Sequence, residues 1–162
     1  MGPERAAGDT QEREGHTPVL KERARNYFLH QDYNCAESIL LATSDEYDLG
    51  VTADSLKLVS GFGGGMGAKR LCGALAGCVA ALGMMTVETK AHATLGFGPL
   101  CGALTERFID TLGSDQCSDL TPHYRKEGVR CVLAVEEAAV LLDTFLREQG
   151  IVKGEVPHGG AV

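Results

Sequence analysis

The sequence predicts an all-α fold: a compact single-domain bundle of about five to six helices, with a glycine-rich loop ahead of a buried Ala- and Gly-rich helix. Three observations lead there. Apolar residues recur at helical spacing in separate stretches, and no segment alternates apolar and polar residues between hairpin turns. The long run from Lys69 to Leu82 is almost entirely small or apolar after its first two residues and poor in β-branched residues, which favours a buried helix over a strand. A chain of 162 residues supports one hydrophobic core.

The elements follow in order. Residues 1–16 read as a disordered polar tail, 17–149 as the helical domain, and 150–162, punctuated by glycines and Pro157, as a flexible tail. From Val19 to His30, Leu20, Ala24, Tyr27 and Phe28 have helical period. A second helix is expected after Asn34, which pairs with Glu37 as a capping box and puts Cys35 in the first turn. A short helix should run from Ala53 to Ser60, with Leu56 and Val59 inward. Another should span Leu100 to Leu112 and end at Gly113, and the last should begin at Thr121-Pro122 and run to Gln149, pausing at Gly128.

Charge and hydropathy exclude some functions. The net charge is −7, with no block of cations longer than a pair, so neither nucleic acid nor an anionic membrane is an expected partner. No stretch approaches the roughly 18 apolar residues of a membrane span and no secretory signal opens the chain, so a soluble cytoplasmic protein is expected. Thiols stay reduced there, and its six cysteines are expected to serve metal binding, redox cycling or burial rather than a disulfide framework.

Between Gly61 and Gly67 five of seven residues are glycine. Their spacing fits neither a dinucleotide fingerprint nor a P-loop, and Lys69 lacks a following Ser or Thr. Such a loop can carry positive φ and close helix approach; its amides at Gly63, Gly64, Gly65 and Gly67 can also form an electropositive nest for an anion or for sulfur. Cys72 follows Lys69 and Arg70 near a helix start, where dipole and charge predict a depressed thiol pKa; Cys35 invites the same expectation. Cys78 reads as a core residue and Cys117, in a polar turn, as reactive or ligating, while Cys101 and Cys131 stay open. Leu71-Cys72-Gly73-Ala74-Leu75 recurs as Leu100-Cys101-Gly102-Ala103-Leu104, through duplication or chance. No C-x-x-C pair occurs, so any shared site must be assembled by the fold, and of the five histidines only His123, near Cys117, invites attention.

Asn34-Cys35-Ala36-Glu37, Ser60 to Gly67, Cys72-Gly73-Ala74-Leu75-Ala76-Gly77, Gly113 to Cys117 with Leu120, and Cys131 occur in an order that resembles the redox-active family named for its C-GCAxxG-C-C cysteine pattern. The resemblance runs from about Tyr33 to Val140 and implies a helical protein with four functional cysteines, Cys35, Cys72, Cys117 and Cys131. The family is often encoded near transporter genes and is similar to a domain of split-Soret cytochrome c that carries an iron-sulfur centre, which implies a cluster here. The sequence departs from the family's form at Gly96-Phe97-Gly98-Pro99, which should interrupt a helix, and in having Cys78 and Cys101 as well.

The leading expectation is an iron-sulfur cluster, of the 2Fe–2S type, on those four cysteines, used for electron transfer or redox sensing with an electron-transfer or transporter-associated protein partner. One alternative is a metal-free thiol-disulfide or sulfur-relay enzyme with Cys72 as nucleophile and a second cysteine, Cys35, resolving. Another is a zinc-binding structural adaptor working beside a transporter. Ala- and Gly-rich helix faces also make a homodimer an expectation.

Overall fold

A computed structural model describes residues 18–151, so the expected tail at 1–16 and most of that at 150–162 lie outside the described residues. Among the described residues seven α-helices make up the body: α1 (Val19–His30), α2 (Cys35–Tyr47), α3 (Ala53–Lys57), α4 (Gly73–Thr86), α5 (Phe97–Leu112), α6 (Cys117–Tyr124) and α7 (Val132–Glu148). The all-α class holds. Among the described residues the extended pairing amounts to two isolated bridges, Leu71 with Gln116 and Lys126 with Arg130.

α1 buries Leu20, Ala24 and Phe28, four residues apart on one stripe, against α2 and α7. α7 contributes the long apolar face, with Val135, Leu142, Phe145 and Leu146 almost wholly buried beside Phe108 of α5. At its end the Ile151 amide donates to the Leu146 carbonyl at 2.8 Å and the side chain is buried, so Ile151 belongs to the packed body.

α4 is apolar on nearly every side and is packed from α2, α5 and α7. Its small residues set the spacing. A Cβ on Gly77 would stand 2.7 Å from the Ala36 carbonyl oxygen, so the α2 and α4 backbones approach as only glycine permits. This contact brings the first turns of α2 and α4 side by side.

The structure changes four helix boundaries, the buried run from Lys69 becoming helical only at Gly73 and continuing to Thr86. The short helix ends at Lys57, and a separate 3₁₀ turn covers Ser60–Phe62. α5 starts at Phe97: Gly96 takes a left-handed conformation, and Pro99 lies in the first turn, where a missing N–H costs no helical hydrogen bond. The expected final helix is two. α6 already begins at Cys117, so Pro122 falls inside it, and the helix stops two residues later. A turn with positive φ at Gly128 and Arg130, closed by the Lys126–Arg130 bridge, then leads into α7. That split raises the count to seven.

Candidate functional site

Each of the four cysteines stands at a helix start. Cys35 is the first residue of α2 and Cys117 of α6, while Cys72 and Cys131 are the residues just before α4 and α7. All four line one cavity of about 170 Å³. Its remaining wall includes Phe28, Gly64, Leu120, Tyr124 and Val135, with Lys69, Arg125 and Arg130 supplying positive charge.

Local chemistry fixes each position. Asn34 closes a complete capping box: its side chain accepts from the Glu37 amide at 3.0 Å, and the Glu37 carboxylate accepts from the Asn34 amide at 2.9 Å. The Asn34 side-chain amide also donates to the Ser60 carbonyl at 2.8 Å, tying the Cys35 helix start to the glycine loop. Cys72 and Cys117 are held by paired extended segments. The Cys72 amide donates to the Asp115 carbonyl at 2.7 Å and the Cys117 amide to the Arg70 carbonyl at 2.6 Å, on either side of the Leu71–Gln116 bridge.

Two glycines make room for sulfur. A Cβ on Gly73 would collide with the Cys35 sulfur and with the Phe62 carbonyl, so Cys35 lies against the backbone directly after Cys72. A Cβ on Gly65 would stand 2.6 Å from that of Cys117, and Gly65 has φ of +63°, which disfavours a side chain there even without the contact. Of the loop glycines expected to serve a cofactor, Gly64 lines the cavity and Gly65 backs Cys117. Gly63 instead packs on Asn34, and Gly67 is exposed outside the cavity lining.

The expectation of a depressed Cys72 thiol is overturned. Burial pushes it up to about 12, and the amides of Leu75 and Ala74 oppose this without closing a capping hydrogen bond. Burial likewise raises Cys35 despite the opposing amide of Gly64, so the same expectation fails there. Cys131 is raised by burial and by nearby Cys117, against the pull of Arg125, Lys69 and Arg130. Desolvation outweighs the helix-start amides at Cys72 and Cys35 and the cations at Cys131, and Lys69 and Arg70 do not lower Cys72 as expected.

The extra cysteines stand apart. Cys78 is fully buried, its sulfur 3.8 Å from the Ala138 carbonyl, and burial raises its thiol. Cys101 is half-buried on α5 and does not line the cavity. His123 is exposed on α6 and also lies outside the lining. Arg125, Arg130 and Phe28 were missed as site residues. Arg130 has φ of +52°, stacks 4.2 Å from the centre of the Phe28 ring and donates to the Phe28 carbonyl, which pins the chain just before Cys131. The cations around Cys131 were legible as a signal; their convergence with Lys69 was not.

Fold and cavity together define a class: an all-helical protein in which four helix starts deliver four cysteines to one partly enclosed, cation-lined space. Over residues 33–145 the chain matches the family described as "Putative redox-active protein (C_GCAxxG_C_C)", and it belongs to that family. It is 27% identical over 135 residues to an uncharacterized protein of Archaeoglobus fulgidus, a match covering 75% of this chain and 89% of the relative. No solved structure matches the chain.

Proposed function

We propose that the cavity binds a 2Fe–2S cluster through Cys35, Cys72, Cys117 and Cys131, and that this cytoplasmic protein serves electron transfer or redox sensing with a protein partner. The observation that carries the reading is the convergence of these cysteines, distant in sequence, on one cavity.

The donor set fits. Thiolates are the usual ligands of iron-sulfur clusters, and two cysteines per iron suffice for the two-iron type, whereas zinc takes its ligands around one ion. Among the described residues no group of three or more His, Cys, Asp or Glu side chains is already arranged to hold a metal ion. When bound, the cluster supplies a site that gains and loses single electrons.

The residues contribute the rest. The four cysteines would hold the cluster, and the amide of Gly64, which already acts on the Cys35 sulfur, would donate toward it. Lys69, Arg125 and Arg130 offset the negative charge that bound thiolates bring, and Phe28, Leu120 and Val135 limit water on the inner side. The thiol-enzyme reading is less well supported, because burial holds the Cys72 thiol above its ordinary pKa and so disfavours the thiolate a nucleophile needs.

The test is spectroscopic. Anaerobically purified or reconstituted protein should be brown, bleach with dithionite and give the electron paramagnetic resonance of a reduced two-iron cluster. Colourless protein that holds neither iron nor zinc after reconstitution would overturn the reading and favour thiol chemistry; colourless protein with stoichiometric zinc would favour the adaptor.

A further inference from the structure

We propose that the rim of the cysteine cavity is a docking surface for an acidic redox protein. This rests on reading the cavity as a redox site, and it names the partner by its charge. The partner's centre would lose one electron, which the cluster proposed for the four cysteines would accept, with no bond made or broken.

The distribution of ion pairs carries the inference. Arg23, Arg25, Lys57, Arg107, Arg130 and Arg147 each lie within 4.0 Å of a carboxylate. Six cations have no carboxylate partner within 4.0 Å among the described residues; Lys21 and Lys90 lie away from the cavity lining, and the other four, Lys69, Arg70, Arg125 and Lys126, are exposed. The backbone gathers these four at the cavity. Lys69 and Arg125 line it, the Arg70 carbonyl accepts the Cys117 amide, and the Lys126 amide donates to the carbonyl of Arg130, the residue before Cys131.

Carboxylates nearby do not cancel the patch. Asp32 pairs with Arg130 at 3.7 Å, Glu137 accepts from the Tyr124 hydroxyl, Asp115 and Asp119 accept from the Gln116 and Ser114 side chains, and Glu127 lies in the turn beside Arg125 and Lys126. Met66, three residues before Lys69, is exposed in the glycine loop with φ of +62°. An apolar point with a charged rim is the ordinary composition of a transient interface.

A chain of net charge −7 repels an acidic protein at long range. A local cationic patch therefore selects the one orientation in which the cavity faces the partner, the use to which complementary charge is best suited. Nucleic acid is a poorer fit, since four cations offer little footprint on an otherwise acidic body.

The probe is an acidic plant-type ferredoxin, titrated into wild-type protein and the double variant Arg70→Glu/Lys126→Glu at about 20 mM and about 200 mM salt. These two residues lie outside the cavity lining. Wild type should bind at low salt and about tenfold more weakly at high salt, and the variant should bind at least about tenfold more weakly than wild type. Undetectable low-salt binding, or equal binding by variant and wild type, would overturn the proposal, as would a DNA duplex bound as tightly as the ferredoxin and released by the same substitutions. Dithionite bleaching of the wild type reads the redox assignment separately: bleaching without ferredoxin binding refutes the docking surface alone, and failure to bleach refutes the reading beneath it.

Discussion

The same five residues occur twice in this chain and do different work. In Leu71-Cys72-Gly73-Ala74-Leu75 the cysteine is the residue before α4, lines the cavity, and is followed by a glycine on which no Cβ fits beside Cys35. In Leu100-Cys101-Gly102-Ala103-Leu104 the cysteine is already the fifth residue of α5 and lies outside the cavity. The glycine after it is exposed, and a Cβ there would have open space for 4 Å around. Composition is shared; register against the helix start is not. A cysteine becomes part of a site here when it sits where a helix begins and another element supplies a facing sulfur.

Substituting the paired glycines should expose the difference most sharply. Gly73→Ala forces a Cβ into the Cys35 sulfur and the Phe62 carbonyl, and it should abolish cluster loading while costing roughly 1–3 kcal/mol in the apo protein, read by iron content and urea unfolding. Undiminished iron in this variant would break the comparison. Gly65→Ala, against Cys117 and at positive φ, should behave similarly.

Acid should separate the two environments next. Burial holds the Cys72, Cys35 and Cys131 thiols above their ordinary pKa, so each keeps its proton at pH 7 and, on the proposed reading, would have to release it to bind metal. Loading therefore releases protons and strengthens as pH rises, by up to about tenfold per displaced proton per pH unit. Iron retention against a fixed chelator should be markedly poorer at about pH 6 than at about pH 8, and a flat profile would show that these thiols are not the ligands.

Smaller effects are expected at the cap and at the second pentapeptide. Asn34→Ala removes the capping interaction and the tie to Ser60, and it should cost about 1–2 kcal/mol of stability by thermal unfolding. Gly102→Ala replaces an exposed mid-helix glycine and should stabilise the protein by up to about 1 kcal/mol with iron content unchanged.

Legibility followed the range of the interactions. α1, the Asn34–Glu37 cap and the stop at Gly113 are local, and they stood plainly in the residues. The start of α6 was not local: Thr121-Pro122 looks like a helix entry, but the Leu71–Gln116 bridge and the Cys117–Arg70 hydrogen bond set the entry at Cys117. The four cysteines came from the ordered motifs of the resemblance, since no spacing alone joins Cys35 to Cys131. Lys69 and Arg70 pointed to a lowered Cys72 thiol because charges can be read along a chain, whereas burial by α2, α4 and α7 is a property of the assembled bundle. The cation rim was missed for the same reason, with Lys69 and Arg125 meeting only across the cavity.

The most direct test of the assignment is iron and acid-labile sulfide per chain across the six single Cys→Ser variants, purified anaerobically beside wild type. Wild type, Cys78→Ser and Cys101→Ser should each carry iron and sulfide near two per chain, for a two-iron cluster, and Cys35→Ser, Cys72→Ser, Cys117→Ser and Cys131→Ser should lose most of both. Iron that survives Cys72→Ser and vanishes with Cys101→Ser would contradict it.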